Sequence, residues 1–155
     1  MSRIKAQAYV ALQVILFVAI LIAPKHFTNA SWPAVLKNIG YYLSFPVYLT
    51  AFAMGIAALI KLGTNLSPFP KPKANAFLVS DGIFSLVRHP IYGAIILVVI
   101  AWGLFANSTP LLIYSVILWL FFEFKANFEE SQLEKHFPDY ARYKRSVKKF
   151  FPYLY

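Results

Sequence analysis

The chain has 155 residues, 59% of them hydrophobic and 18% aromatic, with only 14% charged and a net charge of +9. A soluble domain is typically about 45–50% apolar and about 25% charged, so this surplus of apolar surface calls for lipid rather than water. The length suits one domain, residues 1–155, and the absence of cysteine excludes disulfides, thiolate nucleophiles and cysteine metal sites.

Four apolar spans follow in order, predicting an all-α integral membrane protein. The first covers about residues 6–23, after Arg3 and Lys5. Pro24-Lys25-His26 follows it directly, without a small-x-small cleavage pattern, so a retained anchor is expected rather than a signal peptide. The second covers about 41–62, with Pro46 as a kink position. These first 62 residues contain no acidic group and read as a two-span scaffold. Next comes Ser67-Pro68-Phe69-Pro70-Lys71-Pro72-Lys73, too proline-rich for a helix. It fits either an ordinary linker or an extended strap over a site, with Lys71 and Lys73 near lipid phosphates.

The third and fourth spans, about 91–106 and 111–124, flank the turn signal Asn107-Ser108-Thr109-Pro110 and predict a helical hairpin. Helical character continues from Glu123 to Phe137. A second amphipathic piece begins at Tyr140. Tyr140, Tyr143, Val147, Phe150 and Phe151 form an apolar face on a helical wheel, with Arg142, Arg145, Lys148 and Lys149 largely opposite, the pattern of a cytoplasmic helix in the headgroup layer. With both termini on one side, that side carries thirteen of the fifteen Lys and Arg residues and the other only Lys25 and Lys37. The positive-inside rule puts both ends in the cytoplasm.

All six acidic residues, Asp81 through Asp139, lie in the second half. Arg88-His89-Pro90-Ile91-Tyr92 opens the third span. Pro90 suits a first helical turn, which leaves His89 at a helix N-terminus where backbone N–H groups favour anions. Arg88 adds a permanent bidentate donor. An interfacial phosphate anchor is the plain alternative. Glu129-Glu130 lies beyond the fourth span. Adjacent helical residues diverge by about 100°, so Glu130 shares a face with Glu123 and Glu134, and Glu129 with Lys125 and Gln132. A solvated helix with Lys125–Glu129 pairing is the plain alternative here. Folding at 107–110 brings both groups to one rim. The chain has no Rossmann glycine pattern, P-loop or HExxH motif, and three scattered histidines make a metal site unexpected. The basic charge favours membrane lipids over nucleic acid as partner.

Val87-Arg88-His89-Pro90-Ile91-Tyr92-Gly93, Glu129-Glu130-Ser131-Gln132-Leu133, Phe137-Pro138-Asp139-Tyr140-Ala141-Arg142-Tyr143 and Phe150-Phe151-Pro152 occur in the order and spacing of a known family. Over residues 63–155 the chain resembles the isoprenylcysteine carboxyl methyltransferase and phospholipid methyltransferase superfamily, in particular its compact bacterial-type members. The resemblance implies S-adenosylmethionine-dependent methyl transfer at the cytoplasmic face, in a bacterial inner membrane. It implies that His89, Tyr92, Glu129 and Glu130 bind the cofactor, and that Arg88, Glu130 and Arg142 serve catalysis, with Arg88, Arg142 or Tyr143 orienting a lipophilic carboxylate, amine or thiol acceptor. Two competitors remain. One is an NADPH-dependent membrane reductase related to sterol reductases, although Ile91 replaces the asparagine of their motif. The other is a non-catalytic scaffold or lipid-binding protein.

Overall fold

A computed structural model describes residues 2–22, 32–66 and 77–152. Lys25, His26, Asn29 and the proline-rich segment 67–73, with Lys71 and Lys73, lie outside the described residues. Among the described residues the regular elements are helical: α1 (Ser2–Ile22), α2 (Ala34–Leu62), α3 (Pro90–Phe105), α4 (Thr109–His136) and the short α5 (Tyr140–Ser146). Three helices, α1, α2 and α4, are long and apolar enough to cross a membrane. At 16 residues α3 extends about 24 Å, shorter than a ~30 Å hydrocarbon core.

Two boundaries differ from the sequence expectation. The second helix begins seven residues before 41, at Ala34, and continues past Pro46, whose carbonyl accepts the Thr50 hydroxyl at 2.9 Å. The fourth does not stop at 124 but continues unbroken to His136, which carries its carboxylates on the same rigid rod as its apolar turns. Between α3 and α4 the chain reverses in three residues. Asn107 takes a left-handed conformation (φ 52°), and Ser108 caps α4 through its side chain and the Leu111 N–H. Gly103 lets the helices close there, because a Cβ at this position would lie 2.7 Å from the Leu112 side chain.

The packing core joins Ile96 and Val99 of α3 to Leu111, Leu118, Phe121 and Phe122 of α4, with Ile20 of α1. The first helix is tied on by the Tyr114 hydroxyl, which donates to the Leu16 carbonyl at 2.5 Å. Asp81 opens a 3₁₀ turn, Gly82–Ser85, that precedes the Arg88 segment.

The C-terminal piece departs from the helical-wheel reading. Helix α5 ends at Ser146, and the non-helical residues 147–151 dock against the start of α3, with Val87 and Lys148 joined by an isolated parallel bridge. Tyr140 and Phe150 are buried within the protein, so these aromatics serve the core instead of a lipid-facing stripe. An amphipathic pattern reports which residues avoid water, and here protein rather than lipid covers them.

Candidate active site

The site is assembled from the N-terminus of α3, the C-terminal turns of α4 and the segment that follows α5. Pro90 sits in the first turn of α3 and leaves His89 as its N-terminal flanking residue, with non-helical backbone angles (φ −126°, ψ 62°). The backbone N–H groups of Arg88 and His89 donate to the carbonyls of Lys148 (2.8 Å) and Lys149 (2.9 Å). Gly93 permits this approach: a Cβ there would meet the Phe150 carbonyl oxygen at 2.5 Å. A glycine one turn into α3 therefore admits the segment that seals the helix start.

Four of the sequence candidates converge with Arg88. Arg88 Nε donates to Glu130 Oε1 at 2.9 Å, and His89 Nε2 lies 3.1 Å from the same oxygen. Lys144 Nζ comes within 3.2 Å of Glu130 Oε2, an ion-pair distance without aligned hydrogen-bond geometry. The Glu130 side chain is fully buried, and a buried carboxylate persists only with such compensation. Glu129, one residue earlier and about a quarter turn round the helix, serves a different set. Its Oε2 accepts the Tyr92 hydroxyl at 2.8 Å and lies 3.8 Å from His89 Nδ1. The two carboxylates thus hold different walls of one cluster, as their angular separation requires.

Aromatic rings order the cluster. His89 stacks on Tyr92 (5.3 Å, 3°), and Tyr92 stacks in turn on Phe122 (4.6 Å, 14°). Arg88 is turned inward. Its terminal nitrogen donates to the carbonyls of Lys144 (3.0 Å) and Val147, so the guanidinium fastens the C-terminal segment as well as Glu130. Arg142 is not brought to the cluster: it is exposed, on a surface dent with Asp139 and Arg145. Tyr143 is tied elsewhere, donating to the Phe84 carbonyl at 2.6 Å. Burial holds the Tyr140 and Tyr143 phenols well above the ordinary tyrosine range, so both remain donors.

Four further residues belong here. Lys144 links Glu130 to Glu134, and Lys149 donates to the Glu123 carboxylate and to Asn127. Lys125 is buried, contacts Gln13 of α1 and sits 5.2 Å from the centre of the Tyr92 ring. Its burial rules against the solvated-helix alternative. The first helix, read as scaffold, therefore contributes Gln13, and Tyr9 adds ring contacts to Phe121 and Phe128. The shared-face spacing of Glu123, Glu130 and Glu134 was the signal for Lys144 and Lys149, and the Lys125–Glu129 register that for Lys125; Gln13, a lone amide in the first apolar span, had no partner in sequence to mark it.

The long apolar helices and this buried cluster of cations and carboxylates define an integral membrane protein with a polar site at one end of its helices. Residues 44–135 match the isoprenylcysteine carboxyl methyltransferase (ICMT) family, and the chain belongs to that family. It is 35% identical over 95 residues to the protein-S-isoprenylcysteine O-methyltransferase of Schizosaccharomyces pombe, covering 59% of this chain and 40% of that protein. It is 26% identical over 152 residues to protein-S-isoprenylcysteine O-methyltransferase B of Arabidopsis thaliana, covering 86% of this chain and 77% of the plant protein. The chain thus spans well under half the length of the yeast relative.

Proposed function

We propose that this protein transfers a methyl group from S-adenosylmethionine to a lipophilic acceptor at the cytoplasmic membrane face. In this reading it has four spans, α3 and α4 forming a hairpin, with both termini in the cytoplasm, a topology that the thirteen-to-two charge split supports. The observation that carries the reading is the double pairing of α3 with α4, Tyr92 to Glu129 and His89 to Glu130, in a chain of the ICMT family.

The residues present fit the cofactor. Glu123 Oε2 is buried without a hydrogen-bond partner among the described residues, an acceptor that an ammonium or ribose hydroxyl satisfies. The Glu129 side chain keeps about 25% of its surface open beside the His89–Tyr92–Phe122 stack. Carboxylates and aromatic faces suit a cation that also carries hydroxyl donors. Bound there, the cofactor supplies a methyl group on a sulfonium sulfur, which departs as a neutral thioether when an acceptor lone pair takes the methyl carbon.

Tyr92 and Glu129 then bind and orient, and His89 closes the wall between them. Glu130 acts at one remove: paired through Oε1 with Arg88 and His89 and at ion-pair distance from Lys144, it holds His89 in place and seats the C-terminal segment through Arg88. Catalysis in such an arrangement comes chiefly from positioning and from fixed charges in a dry site. No base is needed when the acceptor is already a carboxylate. The test is calorimetric titration of S-adenosylmethionine into the purified chain in lipid nanodiscs, with methyl transfer to N-acetyl-S-farnesylcysteine followed by methyl label. Micromolar-range binding is expected; absence of binding ends the methyltransferase reading.

A further inference from the structure

Arg142, which the sequence offered to catalysis, is carried by α5 on the side away from the cluster. The inner side of that helix is fixed. Tyr140 is buried, the Tyr143 hydroxyl donates to the Phe84 carbonyl at 2.6 Å, and Lys144 pairs with Glu134 at 2.9 Å. Arg142 and Arg145, three apart and so neighbours on the helix surface, are both exposed. With Pro138, Asp139, Ala141 and Ser146 they line a dent of about 610 Å³. Neither guanidinium has a side-chain partner among the described residues, and Asp139, the one carboxylate lining the dent, pairs with neither. The Ser146 hydroxyl is turned back on the helix, donating to the Tyr143 carbonyl at 3.0 Å, so recognition in the dent falls to the charged groups.

The start of α3 fixes the level of this dent. Arg88, two residues before α3, donates to the carbonyls of Lys144 and Val147, which flank Arg145 and Ser146. In the four-span topology α3, about 24 Å long, is too short to project beyond a ~30 Å hydrocarbon core while its far end stays at the opposite boundary. Its first turn, and α5 fastened to it, then sit among the lipid headgroups. Leu86, exposed beside the Val87–Lys148 bridge, gives the same rim an apolar contact for acyl chains. Lys135 and Lys148 are exposed as well, without side-chain partners among the described residues, and add to the attraction for an anionic surface.

We propose that Arg142 and Arg145 bind the phosphate of an anionic phospholipid, of the phosphatidylglycerol class, in the leaflet beside α5. Guanidinium forks match phosphate oxygens in pairs, which an ammonium cannot do. The two arginines against Asp139 leave the dent a single surplus positive charge. A phosphodiester with an uncharged headgroup carries one negative charge and fits that surplus, whereas a zwitterionic lipid brings no net charge to it. The assignment rests on the four-span topology and is independent of methyl transfer.

The experiment titrates short-chain phosphatidylglycerol, short-chain phosphatidylcholine and inorganic phosphate separately into the full chain in uncharged detergent, with S-adenosylmethionine measured alongside. The wild type is expected to prefer phosphatidylglycerol to phosphatidylcholine by about tenfold, the size of one charge-assisted hydrogen bond, and to bind inorganic phosphate more weakly than the glycerol lipid. The double variant Arg142→Gln, Arg145→Gln abolishes the preference and leaves cofactor affinity unchanged. The pair Lys135→Gln, Lys148→Gln removes the same charge outside the dent and keeps the preference. Asp139→Asn lifts the opposing charge and tightens phosphatidylglycerol by about threefold, which keeps the test alive if the double variant fails to fold. A wild type that binds both lipids alike overturns the assignment, as does a double variant that keeps the preference or an Asp139→Asn protein that gains nothing. Equal losses in the two double variants assign the effect to diffuse surface charge, and inorganic phosphate binding as tightly as the lipid makes this a soluble-anion site; both outcomes overturn the proposal. A wild type that prefers phosphatidylglycerol yet binds no S-adenosylmethionine sinks the methyl-transfer reading and leaves the lipid site standing.

Discussion

Tyr92 and Glu129, 37 positions apart, are joined by a 2.8 Å hydrogen bond from phenol to carboxylate, and that bond ties the first turn of α3 to the polar end of α4. Tyr92→Phe removes the donor and preserves the stack on Phe122. S-adenosylmethionine affinity is expected to fall by about fivefold to tenfold, and by a similar factor in Glu129→Gln. If the two act as a unit, the double variant loses little more than the worse single one. Calorimetry of all four proteins checks this, and full additivity would count against a joint role.

Glu130 and Lys144 form an unequal pair. Glu130 has no exposed side-chain surface, whereas Lys144 has 39%. Glu130→Gln strands Arg88 in a buried setting and is expected to cost about 3 kcal/mol. Lys144→Met is expected to cost under about 1 kcal/mol, because its pairs are screened by solvent. Thermal unfolding in detergent distinguishes them; equal losses would contradict the burial argument.

Gly93→Ala tests the seal. The added methyl collides with the Phe150 carbonyl, a backbone atom that cannot rotate away. Overpacking of this kind typically costs about 1–3 kcal/mol. The expected signature is local: faster tryptic cleavage after Lys148 and Lys149, with the helical circular dichroism of the chain retained. Unchanged cleavage would show that the segment tolerates displacement.

Lys144 gives a pH-dependent outcome. The hydrogen bond to Glu134 first, and then the attraction of the nearby Glu130 carboxylate, raise its pKa above the ordinary 10.5. A raised folded-state value means that the contribution is complete below the unfolded pKa and lost as pH rises through the folded one. The stability difference between wild type and Lys144→Met is therefore constant at neutral pH and closes only in strongly alkaline buffer. Melting scans of both proteins across that range measure it, and a difference that closes already at pH 8 would refute the assignment.

The rim geometry was legible before any coordinates. Pro90 at a helix start, the Asn107–Pro110 turn and the spacing of Glu129 and Glu130 are local signals, each set by backbone sterics or helical periodicity. Arg88 was legible as a cation but not in its task, because a guanidinium satisfied by the Lys144 and Val147 carbonyls depends on where a distant segment docks. Arg142 was likewise legible as a cation but not in its placement outside the cluster. It adjoins the buried Tyr140 in sequence yet points to solvent.

Composition and the placement of basic residues determined by themselves that this chain belongs in a membrane, with its polar chemistry at one end of its later helices. Apolar length and charge asymmetry act through the solvent and need no tertiary contact. Only the tertiary structure decided that residues 147–151 turn inward against His89, that Glu130 is fully buried while Glu129 stays partly open, and that Gln13 reaches Lys125. Those outcomes depend on which buried charge finds which partner. That is a competition among residues far apart in sequence, resolved only when the helices pack.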